Sequence, residues 1–199
     1  MSGKRKYTVP IMLAIITMLT FLIVVLFSRV LLDGQSLKTE RGQRLASSYN
    51  YCILYATVLK DGTAGLLDAD GEEARMQAAK MLGKLDVSAG ECGTGVLVQS
   101  GTRTGQSKEE ALAAVSEPMQ KISEALAPIG ASGGALTENE RATLTAAAAS
   151  ADKLSGVLSA YTAPTGSDRF RQMEAGVDWV PVAQRFVQEL KEAAAAIGQ

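Results

Sequence analysis

Residues 9–27 read Val-Pro-Ile-Met-Leu-Ala-Ile-Ile-Thr-Met-Leu-Thr-Phe-Leu-Ile-Val-Val-Leu-Phe, without one charge, after a head that contains Lys4-Arg5-Lys6. A helix rises about 1.5 Å per residue, so roughly 20 apolar residues cross the hydrocarbon layer with every backbone amide paired inside the helix. The stretch predicts a transmembrane anchor, taken over residues 9–32, with the rest of the chain tethered behind it. A secretory signal has a shorter apolar region, about 7–15 residues, and a small-residue cleavage site. Here the run is longer and passes into Ser28-Arg29-Val30-Leu31-Leu32-Asp33 with no Ala-x-Ala pattern, so the anchor is expected to stay uncleaved. Lys4, Arg5 and Lys6 place residues 1–8 in the cytoplasm as a basic head, because cytoplasmic flanks carry the excess of Lys and Arg. Arg29, Lys38, Arg41 and Arg44 oppose that orientation, but a large C-terminal domain is translocated largely regardless of its charge. The expected topology is single-pass in the plasma membrane, with residues 33–44 as a juxtamembrane segment and residues 45–199 outside.

The remaining chain is one domain's worth by ordinary size priors. The formal net charge of the 199 residues is -1 and the pI about 5.6, so no basic field is present to hold nucleic acid. Histidine is absent, which removes the commonest general base and the commonest zinc ligand. Aromatics are 5% while alanine is abundant, a balance that suits close-packed helices better than a sheet sandwich. The expected fold is all-α: the membrane helix, then an antiparallel up-and-down bundle of about four long helices plus a short one.

The first bundle helix carries Leu45, Tyr49, Cys52, Ala56 and Leu59 at alternating steps of four and three, with Ile53, Leu54, Tyr55 and Val58 as a second apolar face. That pattern predicts a central helix ended by Lys60-Asp61-Gly62; Asp33-Gly34-Gln35-Ser36 offers a break from the anchor, and the polar stretch through Arg44 equally allows the helix to continue out of the membrane. A short helix is expected from a cap at Asp70 to about Leu85. Residues 87–105 are punctuated by Gly90, Gly93, Gly95, Gly101 and Gly105 around Val96-Leu97-Val98, which predicts an irregular excursion holding either one short strand or a pinned loop. Ser107-Lys108-Glu109-Glu110 and Thr137-Glu138-Asn139-Glu140 fit the capping box and open two long helices. The first has its stripe at Leu112, Val115, Met119, Ile122 and Leu126, with Pro118 kinking it or restarting it from Ser116 and Pro128 and Gly130 stopping it. The second carries Leu144, Ala148, Ala151, Leu154, Leu158 and Tyr161 and closes at Ala163-Pro164-Thr165-Gly166. The last begins near Ser167-Asp168 with Phe170, Met173 and Val177 and restarts at Asp178.

Chemistry is sparse. Asp68-Ala69-Asp70-Gly71 has the look of a calcium loop, but the register would put Leu66 first and Gln77 twelfth, where oxygen ligands belong. Gly90-Glu91-Cys92-Gly93-Thr94-Gly95 lacks the Gly-Lys-Ser/Thr ending of a phosphate loop. Ser155 with Lys153 and Ser123 with Lys121 offer serine–lysine pairs on paper, with nothing to mark them as buried. No catalytic, cofactor-binding or metal-ligating residue is assigned. Cys52 and Cys92 can form one bridge in an oxidising compartment, with a buried thiol at Cys52 as the alternative. Thr17 and Thr20 are expected to bond back to their own helix, with interhelical bonding in a homodimer as the alternative.

Two functions fit. One is a membrane-anchored extracytoplasmic binding module, a subunit or accessory of an envelope or signalling complex. The other is a membrane-tethered hydrolase, disfavoured by the missing histidine and motifs. The expected partners are the lipid bilayer through residues 9–27 and another membrane or envelope protein. Contact is expected through the glycine-rich loop at Val96, Val98 and Arg103. Trp179 is a core residue on this reading, with a partner surface as its second role.

Overall fold

The computed structural model describes residues 5–129 and 135–197, with side chains from Pro10 onward. All regular structure among them is helical. Met1 to Lys4 of the basic head, and the expected stop at Gly130, lie outside the described residues.

The first helix, α1, runs unbroken over Arg5–Leu67. Its apolar beginning has a mean hydropathy of 2.8 with nothing packed against it, and is long and apolar enough to cross a membrane. The Thr17 and Thr20 hydroxyls donate to the carbonyls of Leu13 at 2.7 Å and Ile16 at 2.8 Å, so both are satisfied within their own helix. The break offered at residues 33–36 and the expected end at Lys60-Asp61-Gly62 do not occur. A single glycine among helix-forming neighbours costs only about 1 kcal/mol, too little to interrupt a helix that packing holds further on. At Gly62 the glycine serves that packing, since a Cβ there would stand 2.6 Å from the Leu82 side chain.

From residue 42 onward α1 becomes the core of the domain. Leu45, Tyr49, Cys52, Ala56 and Leu59 are all buried, as are Tyr55 and Val58, whereas Ile53 and Leu54 of the expected second face are exposed. Around this spine lie α2 (Glu72–Leu82), α3 (Leu85–Cys92), a π-helical turn (Gly93–Leu97), α4 (Val98–Arg103), α5 (Lys108–Leu126), α6 (Glu138–Leu158), α7 (Ser167–Ala175) and α8 (Trp179–Ile197). Helices α2, α3, α6 and α7 pack on α1, and α8 lies against both α5 and α6. Helix α7 crosses so closely that a Cβ at Gly42 would fall 1.8 Å from the Phe170 carbonyl oxygen.

Both capping boxes are formed: Ser107 and Thr137 accept from the amides of Glu110 and Glu140, whose carboxylates accept from the two cap amides. The backbone bond comes first among the causes that hold the two glutamates below the usual carboxylate range. Asp70 caps nothing. Gly71, at φ 105°, takes the cap position of α2, and that helix ends at Leu82 rather than Leu85. Pro118 is buried inside an unbroken α5. Tyr161 lies past the end of α6 and stacks edge-on against Tyr49, with centroids 5.2 Å apart. The expected restart in the last helix is a true gap at residues 176–178, and Val177 there faces solvent.

The largest correction concerns residues 87–105. They form neither strand nor loop: α3, the π turn and α4 follow one another as a helical rod, and Gly105, at φ 98°, is where the chain turns away. Several of the glycines are points of close contact rather than breakers. A Cβ at Gly95 would meet Ser48 Oγ at 2.1 Å, and one at Gly101 would meet the Ala111 Cβ at 2.7 Å.

Candidate functional site

The rod formed by α3 and the π turn is fastened to α1 on one side and leaves a cleft against α5 on the other. Fastening begins at Ser48, whose hydroxyl accepts from the Val96 amide at 2.8 Å and donates to the Glu91 carbonyl at 2.8 Å. A π turn leaves one backbone position per turn out of the ordinary ladder. The Ser48 hydroxyl serves both a donor and an acceptor beside that irregularity. One helical turn further along α1, Cys52 is bonded to Cys92, with Cα atoms 4.7 Å apart and both side chains fully buried. Close approach at Gly95 and the disulfide thus act at adjacent turns.

The cleft opposite has a volume of about 400 Å³. Its rim on the rod is Asp86 and Gly90 of α3 and Thr94 of the π turn, one residue per helical turn, and its α5 rim is Ser116, Gln120, Ser123 and Glu124. The floor is apolar, made by Ala89, Val115 and Met119, with Leu112 at one end. Leu112 belongs to the expected buried stripe of α5, yet it is 41% exposed because it borders this opening. Across the cleft the Ser123 hydroxyl donates to Asp86 Oδ1 at 2.7 Å. Beyond that bond lies a second hollow of about 250 Å³, which shares Asp86 and Ser123 and is lined by Leu82, Leu85, Leu126 and Ile129. On the rim, Gln120 Nε2 donates to Glu124 Oε1 at 2.7 Å.

Behind the cleft Tyr55 is fully buried, and its hydroxyl has no hydrogen-bond partner among the described residues. Burial, and then the charge of Asp86, push its phenol well above the usual tyrosine range. Tyr49 is shifted the same way by burial and by Tyr161, but its hydroxyl is satisfied, donating to the Leu158 carbonyl at 2.6 Å where α6 ends.

The residues expected at a partner surface are mostly core. Val96 and Val98 are 0% and 4% exposed, because the rod turns them inward as helical residues, and Trp179 is 1% exposed. The Trp179 indole donates to the Met173 carbonyl at 2.9 Å, so it closes the α7–α8 turn. Arg103 remains at the surface, its guanidinium 5.2 Å from the Trp179 ring centre and donating to the carbonyls of Gly176, at 2.9 Å, and Glu174. That arginine ties α4 to the same turn. The structure therefore withdraws Val96, Val98 and Trp179 from the contact surface.

The serine–lysine pairs are not assembled either: Lys121 bonds Glu117 at 3.0 Å while Ser123 turns to Asp86. Ser155 is half-buried and Lys153 exposed. Asp68 and Asp70 stand in the turn between α1 and α2. Among the described residues, no three His, Cys, Asp or Glu side chains come together as a metal site. The cleft itself escaped sequence reading. Its only trace there is the four-residue spacing of Asp86, Gly90 and Thr94, which has meaning once residues 85–103 are known to be helical. No family model matches the chain, and neither curated proteins nor solved structures give a match.

Proposed function

We propose that this chain is a single-pass membrane-anchored binding module whose helical domain stands outside the cytoplasm, as a subunit or accessory of an envelope or signalling complex. The observation that carries the reading is the continuity of α1, which is bare and apolar near its start and the spine of a folded domain further on. One rigid element thereby fixes the domain's distance from the bilayer. A disulfide between Cys52 and Cys92 supports the outside location, since such bonds persist in oxidising compartments. Lys4, Arg5 and Lys6 support the same orientation. Short connections such as the one between α1 and α2, which pack on each other, favour antiparallel neighbours in the bundle. Binding is favoured over catalysis because the cleft presents an apolar floor and carboxylate rims, and its serine–carboxylate contact, Ser123 on Asp86, is an exposed hydrogen bond with no histidine to link hydroxyl and carboxylate as in a triad.

Topology is tested by single added cysteines in intact cells treated with a membrane-impermeant maleimide. Val87→Cys, at a strongly exposed position on α3, should label without lysis, and Ser2→Cys only after it. The opposite pattern would reverse the orientation and remove the extracytoplasmic reading.

A further inference from the structure

We propose that the cleft between α3 and α5 binds a small amphipathic amine, an ammonium group carried on a hydrocarbon body. This rests on the reading of the domain as a binding module and names the ligand class of that cleft. Its volume, about 400 Å³, lies in the range of small-molecule sites. Two of the lining residues are charged, Asp86 on the α3 rim and Glu124 on the α5 rim, and both are carboxylates. An anion is repelled by both rims and a neutral apolar molecule gains nothing from them. An ammonium with an apolar body gains from the rims and from the Val115–Met119 floor together.

Each carboxylate is held at one oxygen by a neighbouring side chain. Asp86 is held through Oδ1 by Ser123, and Glu124 through Oε1 by Gln120, which leaves the second oxygen of each as an acceptor toward a ligand. Among the described residues no aromatic ring lines the cleft, so it offers no cage for quaternary ammonium, and a cation that can donate N–H bonds is the better fit. A separate observation comes from Gly90. It sits inside α3, where glycine weakens a helix, and a Cβ there would meet nothing within 4 Å. Unlike Gly95, it answers to no close neighbour in the fold. Its effect is to leave the cleft wall bare. The second hollow beyond the Asp86–Ser123 bond extends the apolar lining and gives room to a longer body.

The test is calorimetric titration of the full chain in nanodiscs of neutral lipid with phenethylamine, phenethyl alcohol and phenylacetate, with protein-free nanodiscs as the blank. The amine should bind about tenfold or more tightly than either isostere, a modest figure because the rim carboxylates are solvated. The double variant Asp86→Asn/Glu124→Gln should erase that preference, because each amide keeps its hydrogen-bond acceptor but loses the charge. Gly90→Leu, which fills the cleft from a position with open space around it, should abolish binding with helicity and melting retained. Equal binding of all three probes, no binding at all, or a preference that survives the double variant would overturn the ligand class. Amine binding that survives Gly90→Leu would overturn the site. None of these outcomes alters the maleimide pattern, so failure here is distinct from failure of the topology.

Discussion

Alanine substituted at two glycines only five residues apart should move stability in opposite directions. At Gly90 a Cβ meets nothing within 4 Å, so Gly90→Ala exchanges a poor helix former for the best one and should stabilise by about 1 kcal/mol. At Gly95 the Cβ would stand 2.1 Å from Ser48 Oγ and 2.5 Å from Ser48 Cβ. Ser48 must move, and with it go the bond from the Val96 amide and the bond to the Glu91 carbonyl, both 2.8 Å. Overpacking costs about 1–3 kcal/mol and each buried group left unpaired a similar amount, against a propensity gain of about 1 kcal/mol, so Gly95→Ala should destabilise by about 3 kcal/mol. Ser48→Gly removes both clashing atoms and leaves Ser48 Cα at 3.9 Å, an ordinary contact. That change alone is also costly, yet the pair should be far less damaging than the sum, with a coupling of about 2 kcal/mol or more. Urea unfolding in detergent, followed through the single buried tryptophan, Trp179, measures all four corners of the cycle. A Gly95→Ala protein as stable as the parent, or an additive cycle, would refute the close-approach reading of the rod.

Replacing Cys52 and Cys92 together by alanine opens a loop of sequence separation 40, and chain entropy sets the loss at about 4 kcal/mol; an unchanged urea midpoint would show that the bridge does not stabilise the fold. Tyr49→Phe deletes a satisfied buried hydroxyl and leaves the Leu158 carbonyl with only the longer bond from the Tyr161 amide, at 3.3 Å, so it should cost about 1 kcal/mol, whereas Tyr55→Phe deletes an orphan and should be neutral or stabilising. Both phenols are raised in the folded state, so their contribution is intact below the ordinary tyrosine pKa and is lost as pH climbs above it. Tyrosinate absorbance should then rise together with alkaline unfolding, and ionisation of these two phenols in the folded protein below that transition would contradict the shifts.

What could be read from the sequence was what depends on local pattern. The step of four and three through Leu45, Tyr49, Cys52, Ala56 and Leu59 marks a buried face wherever the helix goes, and the two capping boxes specify their own backbone bonds. Glycine is different, because one residue type answers two opposite demands. It frees the backbone at Gly105, at φ 98°, and it admits a neighbour at Gly42, Gly62, Gly95 and Gly101, all helical. Sequence alone does not say which, since the neighbour at Gly95 is Ser48 and at Gly42 is Phe170, both distant in the chain. Reading Gly62 and the glycines from Gly90 to Gly105 as breakers ended α1 early and dissolved the rod. The same error put Val96 and Val98 on a loop surface, and it hid the cleft, whose rim on the rod exists only if residues 86, 90 and 94 stack on one helical face.

On the proposed anchoring, the continuity of α1 changes what the anchor is to the domain. With a break at residues 33–36 the domain would hang from the membrane on a swivel. As built, the exposed section of α1 between the apolar run and Gly42 is a helical stalk of about nine residues, or about 14 Å at 1.5 Å per residue. Beyond it α1 carries Ser48 and Cys52, the two points that fasten the rod, and the rod in turn forms one wall of the cleft. Cleft, rod and apolar run are thus joined through one continuous helix, and on the proposed anchoring the orientation of the cleft above the bilayer would follow from the tilt and rotation of the span. A flexible joint introduced in the stalk, with Gln35-Ser36 replaced by two glycines beside Gly34, leaves every domain contact in place because those side chains touch nothing in the core. Any activity that needs the cleft presented at a fixed height to a neighbouring membrane protein should fall in that variant, while binding of a small amine in nanodiscs should not.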